Sequence, residues 1–380
     1  MTASILDYLR WRGDLPWTQV PPANPDWLIM AQLSYILMDG LAPEGFDERA
    51  PLKDICEQVL SNGQDHGGVH QIGYMWADNQ ELMRLVLESP RYAELPVTGY
   101  QSVLTDDRQF AAVTFLLPGG MNAVCYRGTD DTVIGWKEDC ALAFDKPVPS
   151  QTLALEYLER AMDRLEGPFV AAGHSKGGNL AFYAASLLNY RQQARILSAL
   201  SLDGPGLHED LARSEGCLNL GDRARKYVPQ NSVVGMIFEN AGRYTVVRSA
   251  AHGIMQHSAF SWNVTRQGFE LTDQKESSRR FCRTIKAWLD GLDIDQRREF
   301  VETLFETISS AELKSVDEVS LRFFLELPAL IVRQGITSPQ RALRISKELL
   351  RLNMESIRAL KKEKPDLEVP GDLSGAPAQL

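Results

Sequence analysis

The chain has 380 residues, of which 44% are hydrophobic and 8% aromatic, and its formal net charge at pH 7 is −10. This composition is typical of a globular protein with a core, and one α/β domain with additional helices can account for the length. The acidic balance argues against nucleic acid as a partner, because non-specific binding to it needs a basic surface.

The cysteines and the apolar segments provide information on the cellular location of the protein. Five cysteines are scattered without C-x-x-C spacing, at positions 56, 125, 140, 217 and 282. They indicate reduced thiols rather than a disulfide framework or a zinc site. The N-terminus lacks the pattern of a signal peptide, and no stretch reaches 18 apolar residues. We therefore expect a cytoplasmic protein without a transmembrane segment.

The first quarter of the chain has a helical pattern. Amphipathic periodicity covers residues 2–12, and an Asn-Pro-Asp sequence near residue 24 begins a second helix. His66 and His70 have helical spacing, but two glycines between them favour a solvated loop over a metal site. We predict a helical N-terminal extension over residues 1–95, packed on the core.

The central part alternates strands and helices. Strands are predicted at 99–104, 109–117 and 121–126, with Pro-Gly-Gly at 118–120 forming a tight reversal. Further strands follow at 169–174, 195–202, 225–229 and 244–249, separated in part by helices and by a polar, mobile stretch at 207–221. The alternation predicts an α/β core over residues 96–272, with a mainly parallel sheet and a β-hairpin at its front.

The character of the chain changes after residue 271. Helices with charged faces are predicted at 274–291, 295–309, 317–333 and 338–362, which together form a helical appendage over residues 273–364. This appendage offers a surface for a protein partner. Residues 365–380 are rich in Pro, Gly, Asp and Ala and predict a disordered tail.

One segment of the core has the pattern of a nucleophile elbow. An apolar strand from Phe169 ends in Gly173-His-Ser175-Lys-Gly177, and a helix of small residues follows. In such an elbow the serine sits on a strained turn between strand and helix, with its hydroxyl exposed above the sheet. Glycine is needed at 173 and 177 because a Cβ there would crowd the strand against the helix. The alternative is an ordinary turn with a surface serine.

A nucleophilic serine needs a histidine base. In α/β-hydrolases the chain order is serine, acid, histidine, so the base lies downstream of Ser175. Three histidines lie downstream of Ser175. The first of them, His208, follows Asp203 too closely to be the base. His252 and His257 both follow the strand at 244–249, and we prefer His257.

The acid that orients the histidine is less sharply indicated. Asp203 ends a predicted strand and is followed by Gly-Pro-Gly, which would hold its carboxylate at the edge of the sheet. An Asx-turn or helix cap is the alternative role for this residue. Asp222 and Glu239 are further candidates for the acid.

The developing oxyanion needs hydrogen-bond donors. One is expected from the backbone N–H of Lys176, directly after the serine, and the other from the loop Arg127-Gly128-Thr129. Thr129 can offer both its N–H and its hydroxyl, unless this loop is a plain turn. The side chains of His174 and Lys176 point away from the serine in an elbow, so we assign them no proton transfer.

Three segments resemble landmarks of the class 3 lipases: Val124–Thr129, Trp136–Asp139 and Gly173–Ala181. The resemblance implies an α/β-hydrolase fold that cleaves acylglycerol esters with a Ser-Asp-His triad. Two more segments, Tyr8–Asp14 and Gln256–Trp262, are similar to a bacterial α/β-hydrolase-like family, Mbeg-like and largely of unknown function. Together these resemblances cover roughly residues 5–290.

One departure from the lipase pattern concerns the acid. Class 3 lipases carry it in an Asn-Asp-x-Val-Pro-like segment, and Ser232 stands here where that aspartate would be. Either Asp203 supplies the carboxylate or the triad is incomplete. The sequence predicts a serine hydrolase of lipid or other acyl esters that needs no cofactor and no metal. The alternatives are a weak or inactive protein that uses the fold for binding, and acyl transfer or thioester cleavage by the same triad.

Overall fold

The computed structural model describes residues 2–61, 76–105, 108–129, 138–139, 141–142, 144–232, 234–236, 238, 244–251, 253–276, 278–279, 291, 293–299 and 302. An eight-stranded sheet lies at the centre, and its strands are ordered along the sheet as they are along the chain. They are β1 (Ala50–Pro51), β2 (Pro96–Leu104), β3 (Gln109–Leu117), β4 (Met121–Tyr126), β5 (Phe169–His174), β6 (Ile196–Leu202), β7 (Ala224–Pro229) and β8 (Tyr244–Val247).

The first four strands pair antiparallel, and β4 to β8 pair parallel. The helices of the described residues include α1 (Ile5–Arg12), α2 (Asn24–Leu33), α3 (Leu52–Ser61), α4 (Trp76–Leu87), α5 (Pro149–Arg164), α6 (Lys176–Leu187), α7 (Tyr190–Gln193), α8 (Glu209–Ala212) and α9 (Glu215–Leu220). The predicted α/β fold, with a mainly parallel sheet and a hairpin at its front, is confirmed. None of the helices in the described ranges is long and apolar enough to span a membrane.

The sequential strand order explains how the helices are distributed. Crossovers between parallel strands are almost always right-handed, so a sheet that grows in one direction receives its crossover helices on one face. Here residues of α5, α6 and α9 form one buried cluster with Val124 and Tyr126 of β4. The alternating residues Ala123 and Cys125 face the other side, where they pack with α1 to α4. A parallel sheet is stable only when both faces are covered, and the N-terminal helices supply the second layer.

A buried polar cluster holds the N-terminal helices together. The Asp26 carboxylate accepts hydrogen bonds from Arg91 Nε and Nη2 (both 2.9 Å), from the Tyr92 hydroxyl (2.5 Å) and from the Tyr8 hydroxyl (3.1 Å). The Arg91 guanidinium also lies 3.5 Å from the ring centroid of Trp17. Because Asp26 and Arg91 are both buried, removing either would leave an unpaired buried charge.

The segment predicted as a mobile loop at 207–221 is instead structured. It contains α8 and α9, and the Ser214 hydroxyl accepts the N–H of Cys217 at the start of α9. Leu207, Cys217 and Leu220 are buried in the layer that contains α6, and this burial explains why the prediction was wrong. The predicted helices beyond residue 280 fall almost entirely outside the described residues, and the division into domains stays a prediction.

Candidate active site

Ser175 occupies a sharp turn between β5 and α6. Its backbone has φ 58° and ψ −134°, a conformation that L-residues rarely adopt and that costs on the order of 1–3 kcal/mol. The Ser175 N–H donates to the carbonyl of Leu202 (3.0 Å), and the N–H of Gly178 donates to the Ser175 carbonyl (2.8 Å). Because α6 begins at Lys176, the first N–H groups of that helix have no intrahelical acceptor. They lie next to the serine and favour negative charge there.

The two motif glycines lie where the chain has no room for a side chain. A Cβ on Gly173 would lie 2.2 Å from the backbone carbon of Gly177, and a Cβ on Gly177 would lie 2.1 Å from the carbonyl oxygen of Tyr126. Both distances are far below a normal contact. Strand and helix therefore approach as closely as the motif predicts.

The structure brings Ser175, His257 and Asp203 together. His257 Nε2 lies 2.9 Å from Ser175 Oγ, and His257 Nδ1 lies 2.6 Å from Asp203 Oδ2. A carboxylate only accepts, so Nδ1 carries the proton and the lone pair of Nε2 faces the serine hydroxyl. This is the tautomer that a general base needs.

Ser232 does not interrupt this arrangement. Asp203 follows β6, Ser232 follows the neighbouring strand β7, and the Ser232 hydroxyl donates to Asp203 Oδ1 (2.5 Å). The carboxylate that contacts His257 therefore comes from the end of β6, and the hydroxyl of Ser232, which was predicted to stand at the lipase aspartate position, binds the same carboxylate. Asp203 has φ 52°, which aspartate and asparagine tolerate better than most residues.

The other candidates for acid and base have different surroundings. Asp222 is exposed in the short helix Gly221–Arg223, before β7, and so lies at the opposite end of that strand from Ser232. His208 precedes α8, and its ring contacts the ring of Phe238 with 5.5 Å between centroids. Glu239 and His252 lie outside the described residues.

The loop after β4 lies against the nucleophile. A Cβ on Gly128 would lie 2.6 Å from the carbonyl oxygen of His174 and 3.0 Å from Ser175 Cβ, so only glycine fits there. The hydroxyl of Thr129 donates to the carboxylate of Asp139. Of the two groups that Thr129 could offer an oxyanion, the hydroxyl is therefore engaged with Asp139, and the N–H remains. Burial raises the pKa of Asp139 to about 6.

The side chain of Lys176 enters the core, as the elbow pattern predicts. Its ammonium group donates to Glu138 Oε2 (2.6 Å), the Gln109 carbonyl (2.7 Å) and Gln109 Oε1 (3.0 Å). Glu138 also accepts the backbone N–H groups of Ser150 (2.8 Å) and Gln109 (3.1 Å). The two charges are almost completely buried and fully hydrogen-bonded, which ties the start of α6 to the chain at Glu138.

The motif Gln-His-Ser-x-x-Ser-Trp positions the loop of the candidate base. The Gln256 side chain accepts the N–H of Asn231 (2.9 Å) and donates to the carbonyl of Ala251 (2.9 Å). The carbonyl of Gln256 accepts the indole N–H of Trp262 (3.0 Å). The motif marked this loop in the sequence, but the role of Gln256 was not predicted.

Tyr35 and His174 also contact the site, and the sequence did not indicate it. His174 Nε2 lies 2.7 Å from the carbonyl oxygen of His257, and His174 Nδ1 lies 3.1 Å from the hydroxyl oxygen of Tyr35. Tyr35 precedes His174 by 139 residues. Because only the fold brings them together, no local pattern could have revealed the contact.

The described residues contain no group of three or more His, Cys, Asp or Glu side chains that could hold a metal ion. His66 and His70 lie outside the described residues. Cys56, Cys125 and Cys217 are buried free thiols.

The sheet, the strained serine turn and the residues at the carboxyl edge of the strands define an α/β-hydrolase fold. The Mbeg1-like family model matches residues 86–306, more than half of the chain, and the chain belongs to this family. The resemblance that the sequence motifs predicted is thereby confirmed. Among solved structures, the crystal structure of M37 lipase is 15% identical, with a TM-score of 0.34, and the match covers 55% of this chain and 68% of that one. No curated protein matches the sequence significantly.

Proposed function

We propose that the protein is a serine hydrolase that cleaves carboxylic esters. The observation that carries this proposal is the pair of contacts that link three side chains, Ser175 Oγ to His257 Nε2 at 2.9 Å and His257 Nδ1 to Asp203 Oδ2 at 2.6 Å. A serine, a histidine in the correct tautomer and a buried carboxylate form the arrangement that activates a hydroxyl for attack on an acyl carbon.

The proposed reaction has two halves. In the first, Ser175 Oγ attacks the ester carbonyl while His257 Nε2 takes its proton, and Asp203 stabilises the resulting imidazolium. The protonated His257 then gives its proton to the leaving alcohol, and an acyl-enzyme remains. In the second half, His257 Nε2 removes a proton from water, which attacks the acyl carbon. The bond from that carbon to Ser175 Oγ then breaks, His257 returns the proton to Ser175, and the carboxylic acid leaves. Each step uses groups of this chain, so the proposal includes no cofactor.

The tetrahedral oxyanion needs two donors. We assign these roles to the backbone N–H of Lys176 at the start of α6 and the N–H of Thr129. Two features support the assignment: the close approach of Gly128 to Ser175, and the anchoring of the Thr129 hydroxyl to Asp139. An N–H held in place beforehand costs no reorganisation when the charge develops.

The substrate is proposed to be an acyl ester or lipid-like molecule. Met255 is more than half exposed in the short helix Gly253–His257, so one apolar side chain is accessible two residues before the candidate base. Contact of an acyl chain with this side chain would contribute binding energy through buried apolar area.

The alternative function, that of a binding protein without activity, was supported by the serine at position 232. That support is weakened, because the Ser232 hydroxyl donates to Asp203 and a carboxylate does contact the histidine. We therefore favour the hydrolase.

The proposal is tested with a fluorophosphonate probe, which labels activated serines. We expect labelling of the wild-type protein and its loss in Ser175→Ala. Ser186→Ala, which removes another buried serine hydroxyl near the far end of α6, should be labelled normally. A panel of p-nitrophenyl esters of rising chain length then separates a lipase-like from a short-chain preference. If the wild-type protein is not labelled, or if Ser175→Ala is labelled equally, the proposal is wrong.

A further inference from the structure

Tyr35 places a phenol hydroxyl from the N-terminal region against the candidate site. This residue follows α2, is almost completely buried, and lies outside the part of the chain that the family model matches. Its hydroxyl oxygen lies 3.1 Å from His174 Nδ1 and 3.4 Å from the His174 carbonyl oxygen. A Cβ on Gly128 would lie 2.1 Å from the same hydroxyl oxygen. Tyr35 therefore reaches the point where the oxyanion loop and the serine turn meet.

The contacts of His174 determine its tautomer. The carbonyl of His257 can only accept a hydrogen bond, so His174 Nε2 must carry the proton that it donates across 2.7 Å. Burial holds the pKa of His174 at about 3, so the ring is neutral at working pH and Nδ1 has a lone pair. That lone pair accepts the hydroxyl proton of Tyr35. Tyr35 thus favours the one tautomer that donates to the His257 carbonyl.

His174 and Tyr35 contact the His257 loop in two further ways. The rings of His174 and His257 are in contact, with 4.7 Å between centroids and a tilt of 33° between their planes. The ring of Tyr35 packs with Phe260, which lies three residues after His257. Tyr35 and His174 therefore contact the His257 segment from outside its loop, and the Gln256 side chain fixes the same loop from within.

We propose that Tyr35 and His174 are positioning residues that hold the His257 backbone so that its imidazole meets Ser175. The N-terminal helical region is then part of the active site rather than only a cover for the sheet. The effect would be exerted through the His257 carbonyl, and neither residue touches the substrate. This inference rests on the proposed hydrolase function.

The test uses variants of Tyr35 and His174 in the full chain. Tyr35→Phe removes the hydroxyl that binds His174 Nδ1. Tyr8→Phe is the matched control, because it also removes a buried tyrosine hydroxyl from the N-terminal helices, in this case one bound to Asp26. His174→Gln places an amide N–H near the position of Nε2 and keeps a donor for the His257 carbonyl, whereas His174→Leu removes it.

We expect Tyr35→Phe and His174→Leu to lower the fluorophosphonate labelling rate and the kcat for p-nitrophenyl esters by about 10²-fold, the effect of a misplacement of about 1 Å. KM should change little, because the proposed effect acts on the position of His257 and not on contacts with the substrate. His174→Gln should recover most of the rate, and Tyr8→Phe should match the wild type even if its melting temperature falls. A purely structural role would lower stability in both tyrosine variants and leave both rates unchanged, and that result overturns the proposal.

A second measurement separates this inference from the hydrolase proposal. Nitrogen-15 NMR of the imidazoles reports the tautomers of His174 and His257 without turnover. We expect the Nε2–H tautomer of His174 in the wild type and a mixture in Tyr35→Phe, with a change at His257 as well. If the wild type is unlabelled by the probe but these tautomer changes occur, the hydrolase proposal fails and the positioning contact stands. Unchanged imidazole signals in Tyr35→Phe contradict the positioning role.

Discussion

Asp203→Asn tests the acid of the proposed triad with little disturbance to the fold. Asparagine is isosteric with aspartate and tolerates the positive φ of 52° at this position. The backbone N–H of residue 203 keeps its hydrogen bond to the Tyr227 carbonyl (2.8 Å). The change therefore acts on the two side-chain contacts, the ones with His257 and Ser232.

The size of the effect follows from these two contacts. The carboxylate accepts one proton from His257 Nδ1 and one from the Ser232 hydroxyl. An amide has one acceptor oxygen and an NH₂ that only donates, so it cannot accept on both sides. If the NH₂ faces His257, the imidazole must place its proton on Nε2 and cannot take the proton of Ser175. In serine proteases the equivalent change costs about 10⁴-fold in kcat, or about 5.5 kcal/mol in activation free energy.

The assay is steady-state hydrolysis of a p-nitrophenyl ester, with the fluorophosphonate labelling rate as a second readout. Asp222→Asn is the matched control, because Asp222 is an exposed carboxylate outside the proposed triad. It should retain full activity. If Asp203→Asn stays within tenfold of the wild type while its fold is intact, the orienting role assigned to Asp203 is wrong.

Two further predictions concern the buried charges beside the site. Glu138→Gln leaves the Lys176 ammonium buried without its partner and should lower the free energy of unfolding by about 3–5 kcal/mol, measured in urea; a loss below about 1 kcal/mol would contradict the buried pair. Asp139→Asn should stabilise the protein at pH 8, since the folded state raises the pKa of Asp139 from 3.8 to about 6. The folded protein then binds a proton more tightly than the unfolded chain, so wild-type stability falls as pH rises through this window. The wild type loses at most about 3 kcal/mol of unfolding free energy, and this loss is complete above pH 6 and absent below pH 4. If urea unfolding shows that Asp139→Asn is stabilised equally at pH 4 and pH 8, the prediction is wrong.

Local features of the sequence predicted most of the core. The strands appeared as apolar runs with turn residues between them, and the structure has them within a few residues of their predicted bounds. The turn at Ser175 was predictable because a strand, three glycine or serine positions and a helix must occur together in one short segment. The segment at 207–221 was predicted wrongly because α9 is stabilised by the burial of Cys217 and Leu220 in the layer that contains α6, which a polar sequence does not show.

The acid of the proposed triad could be predicted only in part from local sequence patterns. The chain order and the strand ends pointed to Asp203, but they left open an incomplete triad, since Ser232 stands at the lipase position. The question concerns the distance between ends of two neighbouring strands, which depends on their pairing and register. In the structure these strands are adjacent and parallel, and Ser232 donates to the same carboxylate that contacts His257.

The sequence by itself determined the strand pattern, the α/β class, the strained serine turn and the small set of histidines and carboxylates that could serve it. These depend on residues close together in the chain, where periodicity and glycine positions have direct physical meaning. The tertiary structure alone decided that Thr129 binds Asp139, that Lys176 pairs with Glu138, and that Tyr35 reaches His174. Thr129 and Asp139 both belong to the connection between β4 and α5, whose path no local pattern specifies, whereas Lys176 and Tyr35 meet partners 38 and 139 residues away, at distances that only the folded chain sets.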